Sequence, residues 1–334
     1  MTLKKRIIVP LLALLGLCIP TLASAHVKWF TETPPAKETV EQILSPFFMT
    51  VAILTAALLA LLTQVLPVLM RIPALTRLDR TVENWRFLSF PLLQYGTAIA
   101  MMWGAVEGKL FAPELELHGT AAITAVWAAA AILLIPHHYA TKAGAGILLG
   151  LFIYSIAEYG LFHLLDYGFY LALIGALALR QTKLERWAFP ILYLGTGLSL
   201  CWVAVEKWIY PNMSLNIVEQ HHIPTFGFAP SHFIVLCAFI EFVVGYLLVV
   251  GILNRVLSIV LTCIFITTTM LFGYTEVVGH FIIHIVLLIF IVEGTSFYKP
   301  PVDMHEGALN RIVFVMLNFL FVLATFLLIY YRFA

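Results

Sequence analysis

The feature that most constrains this chain is a succession of apolar runs, each long enough to cross a bilayer as a helix and separated only by short polar turns. They lie near 45–69, 88–107, 119–138, 144–163, 166–180, 188–209, 232–252, 255–273, 277–293 and 309–331. With 62% hydrophobic and 11% charged residues, a chain of 334 residues cannot bury its apolar surface against itself alone, so lipid is its solvent. The expected fold is all-α: a polytopic transmembrane bundle of about ten helices.

Before these runs, Lys4-Lys5-Arg6, the apolar stretch from Ile7 to Leu17, Pro20 and Ala23-Ser24-Ala25 follow the order of a secretory signal. Cleavage after Ala25 makes residues 1–25 a signal peptide and 26–44 a periplasmic lead that begins at His26. An uncleaved anchor is the competing reading. With the lead outside, Arg71, Arg77, Arg80, Arg86, Lys142, Arg180, Lys183, Arg186, Arg255, Lys299 and Arg311 fall inside. Lys28, Lys37, Lys109, Lys207 and Arg332 fall outside, which is the bias a cytoplasmic basic face produces. Topology therefore accounts for the basic residues, and nothing points to nucleic-acid binding.

The chain also repeats. "FPLLQYGTAIAMMWGAVEGKLFAP" from Phe90 and "FPILYLGTGLSLCWVAVEKWIYP" from Phe189 share Phe-Pro, Gly-Thr, Trp and Ala-Val-Glu at a constant offset of 99 residues (90 to 189). This divides the chain into a first helix and cytoplasmic loop at 45–86, four-helix repeats at 87–180 and 186–293, and a final helix at 309–331. An even number of spans per repeat makes the copies parallel, unlike the inverted repeats of many transporters, so alternating access is the weaker expectation.

The second repeat carries "CWVAVEKWIYP" and then "FIEFVVGYLLVVGILNRVLSIVLT". Glu206-Lys207 at the end of its first helix, Glu241 in the next, Gly245 and Gly251, and the basic turn at Arg255 resemble the DoxX-like family of bacterial membrane proteins. The likeness covers about residues 186–293. In the first repeat Trp127 stands where Glu241 would align, so that repeat reads as a diverged copy. The resemblance implies a helical bundle in the bacterial cytoplasmic membrane and a link to redox chemistry, since some relatives belong to thiosulfate:quinone oxidoreductases.

Acids and histidines gather toward the outer ends of the spans. Glu276, His280 and His284 are spaced by four and share one helix face. His163 and Asp166 occupy the corresponding place in the first repeat, and a loop carries His221-His222. Imidazole and carboxylate are copper and zinc ligands, and a cleaved His26 would add an α-amine beside its own imidazole. Hydrogen-bonded interfacial histidines are the alternative. Glu241 at mid-span must be protonated or paired, with Lys207 or a histidine as candidate partners, and its functional role would be a proton relay or quinol-linked acid. Glu107 and Glu206, beside Lys109 and Lys207, read as cofactor-adjacent residues or as interfacial ion pairs. No CxxC, phosphate-binding loop or nucleophile elbow is present.

Three functional classes follow. One is a redox-linked membrane protein working with a quinone or with a periplasmic or membrane electron-transfer protein. Another is a periplasm-facing handler of copper or zinc. The third is a non-catalytic subunit or assembly factor of a larger complex.

Overall fold

A computed structural model describes residues 27–69, 81–294 and 307–334. His26, the signal segment and the basic loop at 71–80 lie outside the described residues. The chain is a helical bundle whose main helices are α1 (Pro46–Leu69), α2 (Ser89–Val106), α3 (Thr120–Leu133), α4 (His138–Tyr159), α5 (Phe169–Leu179), α6 (Ala188–Ile209), α7 (Pro211–Gln220), α8 (Pro230–Val250), α9 (Asn254–Phe272), α10 (Tyr274–Glu293) and α11 (Ala308–Phe333). A two-stranded antiparallel hairpin, β1 (Lys109–Leu110) and β2 (Ala112–Glu116), joins α2 to α3.

Among the described residues seven helices are long and apolar enough to cross a membrane, or eight if a bent pair counts as one span. The bundle is inside out relative to a soluble protein. Leu58, Leu61, Leu317 and Phe321 are exposed on α1 and α11, whereas Asp166, Glu206, Lys207, Glu276 and His280 are buried. Exposed leucines around buried charges are what a lipid solvent selects, and the chain is a multi-pass membrane protein.

The ten expected runs correspond to helices, but their bounds shift. The expected third run stops at Leu133, and His137 caps the next helix, accepting from Tyr139 N at 3.3 Å. The expected runs 144–163 and 166–180 become α4, ending at Tyr159, and a bent pair, Leu161–Tyr167 and Phe169–Leu179, that turns by 66°. Gly160, at φ +86°, ends α4, while the bend itself falls at Gly168, where Phe169 N donates to Ser199 Oγ at 2.8 Å on α6.

Helix order and packing differ instructively. Within 89–179, α2 packs on α3, α3 on α4 and α4 on α5; within 188–293, α6 packs on α8 and α9 on α10. Between these stretches α5 lies along α6 and α10 along α2. The repeated Gly-Thr dipeptide makes both crossings. A Cβ on Gly195 would sit 2.2 Å from Ala172 Cβ of α5, and one on Gly96 would sit 2.6 Å from Ile285 of α10. Phe90 and Phe189, the matched Phe-Pro phenylalanines, meet with ring centroids 4.8 Å apart. Helices α1 and α11 pack together against α6 and α8.

The seam between the two stretches is sealed at one end by the lead, residues 27–43. Lys37 Nζ donates to Tyr331 O at 2.7 Å, and Glu38 N to Ile209 O at 2.9 Å. This end, the lead face, also carries the hairpin, α7 and the 273 turn.

Candidate functional site at the seam

Four segments converge beneath the lead: the bend at 165–168, the lead-face half of α6, the middle of α8 and the first turns of α10. They enclose a cavity of about 40 Å³ lined by Trp29, Asp166, Thr196, Glu241 and His280 among others. By that measure it has room for about three waters.

A lysine and a tryptophan of the lead reach into the bundle here, and Trp29 lines the cavity. Lys28 Nζ donates to Asp166 of the bend and lies 2.9 Å from Glu206 Oε1 on α6, so one ammonium ties both stretches together. Burial alone would lower the Lys28 pKa, but the two carboxylates more than offset it and hold the ammonium above its ordinary 10.5. Trp29 lies over Gly279, where any Cβ would come within 2.2 Å of the indole, and its centroid is 4.9 Å from that of His280. Trp29 Nε1 donates to Tyr167 Oη at 2.9 Å, and Tyr167 donates to Glu114 Oε1 at 2.6 Å. Phe30 stacks on Phe272 at 4.6 Å.

Helical geometry then separates neighbours in sequence. Glu206 and Lys207 are about 100° apart on α6, so Glu206 faces the lead while Lys207 donates to Glu241 on α8. The close approach of α6 and α8 makes that pair possible. A Cβ on Gly245 would meet Gly197 O at 2.6 Å, and a Cβ on Gly197 would meet Gly245 O at the same distance. On α10, His280 Nδ1 is 3.0 Å from Glu276 Oε1, and Thr268 donates to that same oxygen at 2.7 Å. With exposures of 0% to 4%, Glu276, Asp166, Lys207, Glu206 and His280 are interior charges or titratable groups. Such groups are expensive at membrane depth and persist when paired.

The structure brings together Glu241, Lys207, Glu206, Asp166, Glu276 and His280, all readable as candidates from the sequence. It corrects several expected pairings. His163 and Asp166 do not form one site, because the bend sends Asp166 into the seam while His163 Nε2 pairs with Glu114 Oε1 of the hairpin at 2.9 Å. Glu114 sits below its ordinary value of 4.5: burial pushes it up, but His163, Tyr167 and Lys28 outweigh that. Glu107 does not pair with Lys109; it accepts from Tyr274 Oη at 2.7 Å, while Lys109 meets Glu116 at 3.3 Å. His284, one turn below His280, packs edge-on to Phe265 and does not line the cavity. His221 lies against Phe30 and Phe272, and His222 is exposed in the turn after α7. Among the described residues no three His, Cys, Asp or Glu side chains are grouped to hold a metal ion.

Sequence reasoning passed over Lys28, Glu114, Tyr167 and Thr196. Lys28 had a readable signal, a cation three residues past the cleavage box. Thr196 had one too, being half of the repeated Gly-Thr.

Fold and site define a multi-pass membrane protein with a buried acid–base cluster at an internal seam. No protein-family model, curated protein or solved structure matches this chain.

Proposed function

We propose that this is a proton-handling, redox-linked protein of DoxX-like type in the bacterial cytoplasmic membrane, with about ten spans in two parallel repeats and the lead face in the periplasm. The observation that carries the reading is one small cavity lined by Asp166, Glu241 and His280 together. Two carboxylates and an imidazole lining one water-sized cavity are a chemistry for taking up and passing on protons. The redox part rests on the DoxX-like resemblance. Oxidation of a quinol yields two electrons and two protons; the protons suit this cluster, and the electrons require an electron-transfer partner.

A quinone ring does not fit a cavity with room for about three waters. In the redox reading the cavity's part is therefore to handle protons, not to hold the quinone: Lys207 holds Glu241, Lys28 holds Asp166, and Glu276 orients His280.

The test is turnover of a quinol analogue with an electron acceptor by the purified protein, with proton release followed by an indicator dye. Glu241→Gln should abolish proton-coupled turnover while the protein remains folded. Wild-type protein inactive with every acceptor, or Glu241→Gln protein as active as wild type, would sink the reading.

One observation favours a second reading, copper or zinc handling: the buried Glu276–His280 pair with His284 one turn deeper. Because those three are not grouped as a ligand set, the Glu276–His280 pair would need His26 to complete a metal site, and elemental analysis finding no stoichiometric copper or zinc ends that reading. Constant co-purification of one partner, with no activity alone, would instead mark a non-catalytic subunit.

A further inference from the structure

The charges around the seam do not balance. Asp166, Glu206, Glu241 and Glu276 are four carboxylates, against the ammonium groups of Lys28 and Lys207 and the imidazole of His280. Glu114 adds a fifth, but it is matched by His163. These groups act on one another: Glu241 lies within electrostatic reach of both Glu206 and His280, and Asp166 of both Glu206 and Glu114. Among the described residues, with His280 and His163 both cationic and His284 neutral, the groups around the seam still sum to one negative charge. A lone buried negative charge is costly, so the site has a demand for one positive charge.

Of the buried seam oxygens without a hydrogen-bond partner among the described residues, Glu276 Oε2 lies outside the cavity lining and two belong to residues that line it. Asp166 Oδ2 accepts from Lys28, but Oδ1 of the same carboxylate is buried with no hydrogen-bond partner. Thr196 Oγ1, on α6, is likewise buried without one. Both residues are nine-tenths or more buried, and both line the cavity. Their unpartnered oxygens are hard donors, and the space beside them takes one small ion with water. A divalent ion would call for more carboxylate than a single free oxygen and would overshoot the missing charge.

We propose that the seam cavity binds one sodium ion, with Asp166 Oδ1 and Thr196 Oγ1 as protein ligands and water completing its shell. The ion supplies the missing positive charge and satisfies both orphaned oxygens at once. A proton on Asp166 would supply the charge but leave Thr196 Oγ1 unsatisfied. The inference goes beyond the redox reading and does not depend on it. It makes the seam a place where sodium and protons meet on the same carboxylate.

The test is isothermal titration of the full chain in lipid nanodiscs with sodium chloride against choline chloride at matched ionic strength. Wild-type protein should show one saturable sodium site per chain and no response to choline. Thr196→Val, which leaves the Lys28–Asp166 pair in place, should weaken sodium binding roughly tenfold or more, the scale of losing one oxygen ligand. Thr196→Ser should restore it, and Asp166→Asn should abolish it. Unchanged circular dichroism and elution of the two Thr196 variants guard against a folding artefact. Absence of a saturable sodium signal in wild-type protein at neutral or alkaline pH overturns the proposal, and so does full affinity in Thr196→Val. If the cavity answers to pH alone, the proton reading stands and the sodium site falls. If sodium binds but no proton-coupled turnover occurs, the sodium site stands and the redox reading falls.

Discussion

At the scale of single residues, the interior of this protein is organised by two lysines that each neutralise carboxylates from another element. Lys28→Met should leave Asp166 and Glu206 without their cation and lower stability by about 3 kcal/mol, read as a fall in the thermal midpoint in detergent. The Lys28→Met/Asp166→Asn double variant should recover part of that loss, because one of the stranded charges is gone. The lead also carries its own pH sense. Lys28 is raised above 10.5, so its contribution is complete below that pH and is lost only as pH rises through the higher folded value. Glu114 is lowered below 4.5, so its contribution is present above 4.5 and is lost as pH falls through the lower folded value. The part of Trp29 docking that runs through Tyr167 to Glu114 should therefore be present above about pH 4.5 and weaken below it. The difference in fluorescence between wild type and Trp29→Phe reports it, and Glu114→Gln should remove the acid limb.

At the scale of elements, glycines decide which helices touch. The α6–α8 crossing places Gly197 and Gly245 backbone to backbone, and a Cβ on Gly245 would also come within 3.0 Å of Cys201 N. Gly245→Val should cost about 3 kcal/mol, at the upper end for overpacking, because backbone on the far side cannot yield. Gly146→Ala in α4 is the control, since nothing lies within 4 Å of the added methyl group. It should be neutral or stabilising by about 0.5–1 kcal/mol through helix propensity. Thermal unfolding of both variants in the same detergent checks the contrast. The resemblance to DoxX-like proteins had marked Gly245, Gly251 and Arg255 without a reason for them. In the fold Gly245 is a contact point, Gly251 ends α8 at φ +77°, and Arg255 Nε donates to Ile291 O at 2.6 Å near the end of α10.

At the scale of the whole molecule, the alternation of helices puts the lead, the hairpin and α7 at one end and the 180–187 turn at the other. Gln220→Cys and Lys183→Cys, both exposed positions, should therefore react with an impermeant thiol reagent from opposite sides of an oriented membrane. Labelling from the same side would refute the topology. Native Cys201 and Cys237 are buried and should stay silent, and the exposed Cys263 is changed to Ser in both variants.

The sequence by itself determined that this chain lives in lipid, where its helices run, and which residues carry polar chemistry toward one end of them. Those properties are additive along the chain: hydropathy sums over a run, and a four-residue spacing alone puts Glu276 beside His280. It could not say that Lys28 would serve Asp166 and Glu206, or that Lys207 would leave its neighbour Glu206 for Glu241. Nor could it place the bend that parts His163 from Asp166. Those pairings join positions 34 to 178 residues apart (207 to 241, 28 to 206), and each depends on how helices rotate and cross. Only tertiary structure decides them, because the crossing of two helices at glycines, and not the identity of a side chain, determines which buried charge faces which.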